Sequence, residues 1–317
     1  MSALLTVCKK ELQDHLNSWR FIILFLVMVL VSVYAIFAAA SNIREAASGS
    51  EYIFLSIFTT PFNTSAGTFL PNSFLSLMSI LIPLIGIILG FDAINSERNN
   101  GTMSRLVSQP IYRDSIINAK FLAGLISITI LTLIVILLIS GLGLRLIGVP
   151  PSAEEIIRLF FFFVIAVVYG ALWLGMAIFF STLFRQVAVS IVISLALWLF
   201  FAFFFPFIYQ IIFASMTSNS QAEAIKNVEN IIFISRISPI QLFNESMQLI
   251  LAPSARLVDQ VLTLLTEDSG QFFMMTPLSL GQSLLVVWPM IILNIVLTTI
   301  FFALSYIKFM LEEIRSF

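Results

Sequence analysis

Six apolar runs, each about 20 residues or longer, dominate this 317-residue sequence: 21–40, 73–91, 121–147, 156–183, 187–214 and 284–307. A bilayer core of about 30 Å takes about 20 mainly apolar residues of helix. Backbone left unpaired in hydrocarbon is too costly for anything but helices or closed barrels to cross. The runs therefore predict an all-α, polytopic membrane protein with six spans. Composition agrees, because 59% of residues are hydrophobic and only 10% charged, where soluble proteins carry about 25% charge. Runs beyond 25 residues imply tilt or overhang. Pro83, Pro206 and Pro289 lie inside runs, where neighbouring helices re-satisfy the freed carbonyls. Residues 21–37 exceed the 7–15-residue core of a signal peptide. Despite the Ala38-Ala39-Ala40 that follows, an uncleaved anchor is expected.

Charge placement orients the spans. Residues 1–20, 92–120, 184–186 and 308–317 hold ten Lys and Arg, and the opposite side holds six. Positive residues favour the cytoplasmic side, so both termini are expected in the cytoplasm of a multi-pass cell-membrane protein. A net charge of −1 supplies no field to collect nucleic acid. One cysteine (Cys8) and one histidine (His15) exclude a Cys/His zinc site and an intrachain disulfide.

The span interiors carry no ionisable residue; Asp92, Arg145, Arg158 and Lys308 sit at ends, where long side chains snorkel. Proton relays place ionisable groups at mid-membrane depth, so proton coupling is disfavoured, while sodium sites built from carbonyls stay open. No GxxxxGK[ST] occurs, so the chain has no P-loop for nucleotide phosphates.

Packing motifs remain. Gly86/Gly90 and Ala166/Gly170 have the small-xxx-small spacing that lets helices approach in lipid, within the subunit or at a seam between subunits. Ser190, Ser194, Leu197, Phe201 and Phe205 share one helical face. That face either lines a translocation path or faces lipid or another helix. At the N-terminus, Leu5, Cys8, Leu12, Leu16 and Trp19 form one stripe of an interfacial helix at 1–20. His15, four residues after Glu11, reads as its surface partner.

Residues 92–120 concentrate seven of the 33 charges. Gly101 ends a preceding turn, Thr102 caps a new helix, and Met103, Leu106 and Val107 make its apolar stripe. Pro110 ends it, and Asp114 is placed to cap the third span. Two turns are unstable alone in water, so this stub needs a protein groove or the lipid headgroups.

The pattern Asp92…Glu97-Arg98…Gly101-Thr102…Leu106…Pro110…Arg113…Lys120 resembles the hallmark loop of ABC-2-type permeases, the membrane subunits of ATP-binding-cassette exporters. The resemblance is closest to the branch of the nitrous-oxide-reductase maturation permease. It implies an ABC-2 (type V exporter-like) fold, pairing in the membrane with a second copy of itself or a homologous permease, and two cytoplasmic ABC ATPase subunits. It also implies that ATP and Mg sit on those subunits, that this chain binds no cofactor, and that the chain is not itself an enzyme. By the same resemblance Glu97, Arg98, Gly101, Thr102, Met103, Arg105, Leu106, Val107 and Arg113 form the coupling helix that meets the ATPase. The alternative functions are an ATP-independent carrier or channel, or a membrane assembly factor.

Residues 215–283 form a long insertion before the last span, expected outside the cell. Ser238-Pro239 opens a helix over 240–251; others are expected over 221–234 and from Pro253, where Leu257, Val258, Val261, Leu262 and Leu265 share a face. They either pack over the outer mouth as a gate or rest on the outer leaflet.

Overall fold

The computed structural model describes residues 3–47, 52–61, 73–102, 112–216, 221–252 and 278–311. The expected helices at 103–107 and from Pro253 lie outside these residues. Among the described residues there is no strand, and six helices are long and apolar enough to cross a membrane: Trp19–Phe37, Phe74–Asn99, Arg113–Leu146, Ala153–Leu183, Val187–Ile212 and Leu280–Leu311. The chain begins with α1 (Ala3–Leu16) and α2 (Trp19–Ala47), then a short α3 (Ser56–Thr59), α4 (Phe74–Gly90), α5 (Asn95–Asn99) and α6 (Arg113–Ile147). It continues through α7 (Ala153–Leu183), α8 (Val187–Leu199), a π-helical turn (Phe200–Phe204), α9 (Phe205–Ser215), α10 (Gln221–Ser235), α11 (Pro239–Leu251) and α12 (Leu280–Leu311). Six crossings return α12 to the face that carries α1, here termed the terminal face; the other is the far face.

α7 is the central pole. A Cβ on Gly86 would come within 2.9 Å of Gly170 O and Leu174 N, and one on Gly90 within 2.8 Å of the Ala177 Cβ. The GxxxG of α4 thus lets its backbone touch that of α7, and this motif packs within the subunit. Tyr169 OH donates to Ser79 O at 2.9 Å across the same pair. α12 runs parallel to α7, held at the far end by Arg158 Nη1 to Ser283 Oγ at 3.3 Å and at the terminal end by Thr182 and Ser305 hydroxyls at 3.4 Å. α2, α8 with α9, and α12 leave most of their apolar side chains exposed around this core. In water such a surface would aggregate; in a bilayer it is the required exterior.

The helix ends follow local chemistry. Ser152 and Glu155 form a reciprocal capping box that starts α7. Pro206 has no N–H to give Ala202 and its ring crowds that carbonyl; the preceding turn widens, with Phe205 N–H bonding Phe200 O. α6 begins at Arg113, so residues 113–120 are helix and not loop. Tyr112 occupies the cap position without a side-chain bond, and Asp114 lies in the first turn, accepting from Ser115 N at 2.7 Å.

Three further expectations are corrected. Arg158 does not snorkel: it is fully buried and donates to Ile250 O at 2.9 Å, Leu278 O at 2.8 Å and Glu154 Oε1 at 2.8 Å, with the Tyr52 ring 4.8 Å away. An exposed tip was assumed because the residue is near a run's end, but three far-face segments fold over it. Within 215–283, α11 does not rest on a leaflet but packs into the bundle. Leu242, Phe243, Met247, Ile250 and Leu251 are buried against α3, α4, α7 and α12, because they form a broad apolar face opposite the stripe of Gln241, Asn244 and Gln248. α10 and α11 therefore make a hairpin that re-enters the bundle from the far face. Ser238 precedes α11 but its hydroxyl makes no capping bond.

Candidate functional site

The polar cluster beneath the loop after α4 joins five helices. α4 ends in turns at 91–94 and runs into α5, whose entry is fixed by Ser181 Oγ of α7: it accepts from Ile94 N at 2.9 Å and Asn95 N at 3.2 Å. Arg98 Nη1 donates to Thr182 O at 3.2 Å. Arg20 of α2 pairs with Asp92 and stands over the Phe91 ring at 5.3 Å. Gly101, at φ 68°, takes the left-handed turn that a side chain would strain, and Thr102 Oγ1 donates back to Glu97 O at 3.2 Å. On the other side of the loop, Arg113 Nη2 donates to Phe309 O of α12 at 2.8 Å and its guanidinium lies 5.4 Å from the Phe309 ring.

Lys120 is the centre of the cluster. Its ammonium is 2.8 Å from Glu97 Oε1 and 3.0 Å from Glu11 Oε2, with only 5% of its side chain exposed. Glu11 lies on α1, whose Val7 and Cys8 pack on Ala119 and Ala123 of α6 with Leu12 beside them. One lysine on α6 thus clamps α1 and α5 together. Burial pushes the Glu11 carboxyl up, but the charge and hydrogen bond of Lys120, with help from Lys10, outweigh it and hold the carboxyl below its ordinary range. Asn95 is fully buried, and neither end of its amide has a hydrogen-bond partner.

The expected site residues divide clearly. Glu97, Arg98, Gly101, Thr102 and Arg113 are together at the base of the loop, with Glu97 and Arg98 turned inward onto α6 and α7. Met103, Arg105, Leu106 and Val107 lie outside the described residues. Ser190 and Ser194 are fully buried where α8 meets α4 and α7; Leu197 and Phe201 pack on the core, and the Phe205 ring is 5.9 Å from that of Phe201.

The N-terminal stripe is split: Cys8, Leu12 and Leu16 face the bundle, whereas Leu5 and Trp19 are exposed and Trp19 already belongs to α2. His15 is not the surface partner of Glu11. It is half-buried, Glu11 pairs instead with Lys120 and Lys10, and burial pushes the imidazole below its ordinary range.

Sequence reasoning missed Lys120, Glu11, Asn95 and Arg158 as functional or structural centres. The signal for Lys120 was present: Ile116, Ile117, Ala119 and Ala123 surround it at helical spacing, so a charge there has to find a buried partner.

The six spans and their all-helical packing define a multi-pass membrane protein. The sequence pattern of the ABC-2 family transporter proteins matches residues 5–314, and the chain belongs to that family. It is similar to the probable ABC transporter permease protein NosY of Pseudomonas aeruginosa, 30% identical over 163 residues, which are 50% of this chain and 51% of that one. It is also similar to the probable NosY permease of Stutzerimonas stutzeri, 29% identical over 153 residues, which are 45% and 49% of the two chains. The chain thus spans about half the length of the curated relatives it matches.

Proposed function

We propose that this chain is the permease subunit of an ATP-driven exporter, working as a pair of copies with two ATPase subunits on the terminal, cytoplasmic face. The observation that carries the reading is the ABC-2 family match across 5–314. The anchored loop adds to it. A loop that a separate motor pushes must pass displacement to the spans, and its described residues 92–102 are tied to α2, α6 and α7 by charge-assisted bonds, which are stronger than neutral ones, while Lys120 and Arg113 of α6 carry the link on to α1 and α12. The partner binds ATP and Mg and performs the hydrolysis. Motor closure moves the five anchored helices together and rocks the two copies. In this reading Ser190, Ser194, Leu197, Phe201 and Phe205 become route-lining only when α8 moves off α4 and α7.

The test is co-purification of an ATPase with the chain, and its rate in proteoliposomes. Arg105→Glu with Leu106→Asp is expected to abolish docking and stimulation while membrane insertion stays intact. Transport by the chain alone, without ATPase, would refute the reading.

A further inference from the structure

Among the described residues, the ion pair set furthest from both ends of the spans is Arg236–Glu245, on the α10–α11 hairpin. Arg236 Nε donates to Glu245 Oε2 at 2.9 Å, and Nη2 donates to Oε1. Its depth follows from its neighbours. Phe243 stacks on Tyr169 at 4.3 Å, and Ser246 Oγ donates to Met290 Sδ at 3.3 Å. Tyr169 lies 16 residues below the far end of α7 and Met290 lies 10 below that of α12. At about 1.5 Å per residue these are depths of about 24 and 15 Å. Helices of 31 and 32 residues overhang a 30 Å core by about 8 Å at each end. Less that overhang, the pair sits about 7–16 Å inside the hydrocarbon.

Glu245 is 10% exposed, but the Arg236 side chain is 40% exposed, flanked by the exposed Phe233 and Ile237. A guanidinium facing acyl chains at this depth is costly, so this face of the hairpin must border water and protein. Glu245 occupies the Nε/Nη2 edge of the fork, which leaves the Nη1/Nη2 edge, the geometry that receives an oxyanion in two parallel bonds.

We propose that Arg236 is a cargo-recognition site on the wall of the aqueous route between two copies, taking the oxyanion of an amphipathic cargo whose apolar body lies on Phe233 and Ile237. Glu245 fixes the plane of the guanidinium and cancels its net charge, so the oxyanion is recognised by geometry and then released. This rests on the pairing proposed above and adds the chemical class of the cargo.

The experiment uses the full chain with its ATPase in membranes, with Cys8→Ser removing the native thiol and Ile237→Cys placing a new one beside Arg236. The probes are membrane-impermeant methanethiosulfonates, one anionic (sulfonatoethyl) and one cationic (trimethylammonioethyl). Expected is labelling at least tenfold faster than at Leu137→Cys, an exposed apolar position of α6, and several-fold faster with the anionic probe. Arg236→Gln with Glu245→Gln, which strands neither charge, is expected to keep the accessibility and erase the anion preference. Labelling no faster than at Leu137→Cys overturns the aqueous wall; an anion preference that survives the double change overturns the oxyanion site. Failure of the ATPase to co-purify while both labelling results hold would sink the energising reading and leave the site standing.

Discussion

Replacing Lys120 with methionine keeps the length of the side chain and removes its charge, and the effect can be worked from the clamp itself. Both carboxylates lie within 3.0 Å of the ammonium, so without it Glu11 and Glu97 face each other no more than about 6 Å apart. At an effective dielectric constant near 20 their repulsion is about 3 kcal/mol, within the roughly 3–5 kcal/mol that breaking a buried pair costs. The Glu11 carboxyl, held low mainly by Lys120, would rise because burial then dominates.

The loss falls on the docking of α1 against α6, a local opening that amide hydrogen exchange reads directly. In nanodiscs, the α1 amides of Lys120→Met should exchange about 150-fold faster than in the parent, the ratio that about 3 kcal/mol represents. Adding Glu11→Gln and Glu97→Gln should recover most of the protection, because neutral amides carry no repulsion. Unchanged α1 exchange in Lys120→Met, or no recovery in the triple variant, would refute the clamp.

Arg158→Gln leaves the carbonyls of Ile250 and Leu278 without their donors and should lower stability by about 3–5 kcal/mol, read as a fall in Tm in detergent. Arg158→Lys should rescue little, since one ammonium cannot reproduce a planar fork that meets four acceptors. His15 has a pKa depressed by burial below its ordinary 6.5, so its neutral form supports the fold. That support is complete above pH 6.5 and is lost as pH falls through the depressed value. The protection factors of α1 amides, taken against the intrinsic exchange rate at each pH, should therefore fall on acidification from pH 7 to 5, and His15→Gln should flatten that profile.

Much of this architecture is written in local chemistry. A run of 20 apolar residues has one stable form in lipid, so the six spans follow from hydropathy alone. Pro206 accounts for the widened turn before it, and Gly86 and Gly90 mark a close helix contact. The charge cluster at 92–120 marked the loop whose anchors the structure then displayed. Three features escaped because they depend on which elements meet. Arg158 reads as a snorkelling end residue until Ile250, Leu278 and Ser283 close over it from distant parts of the chain. α11 reads as a surface helix until Phe243 stacks on Tyr169. Glu11 reads as the neighbour of His15 until Lys120 arrives from 109 positions away.

The sequence by itself determined the solvent and the number of spans, because each rests on composition or on spacing along a single helix, while the family rests on the pattern matched across 5–314. The tertiary structure decided which carboxylate Lys120 holds, that Arg158 is buried, and that a polar hairpin descends into the bundle with an ion pair near its tip. Those outcomes depend on desolvation and distance between elements, quantities that no one-dimensional spacing contains.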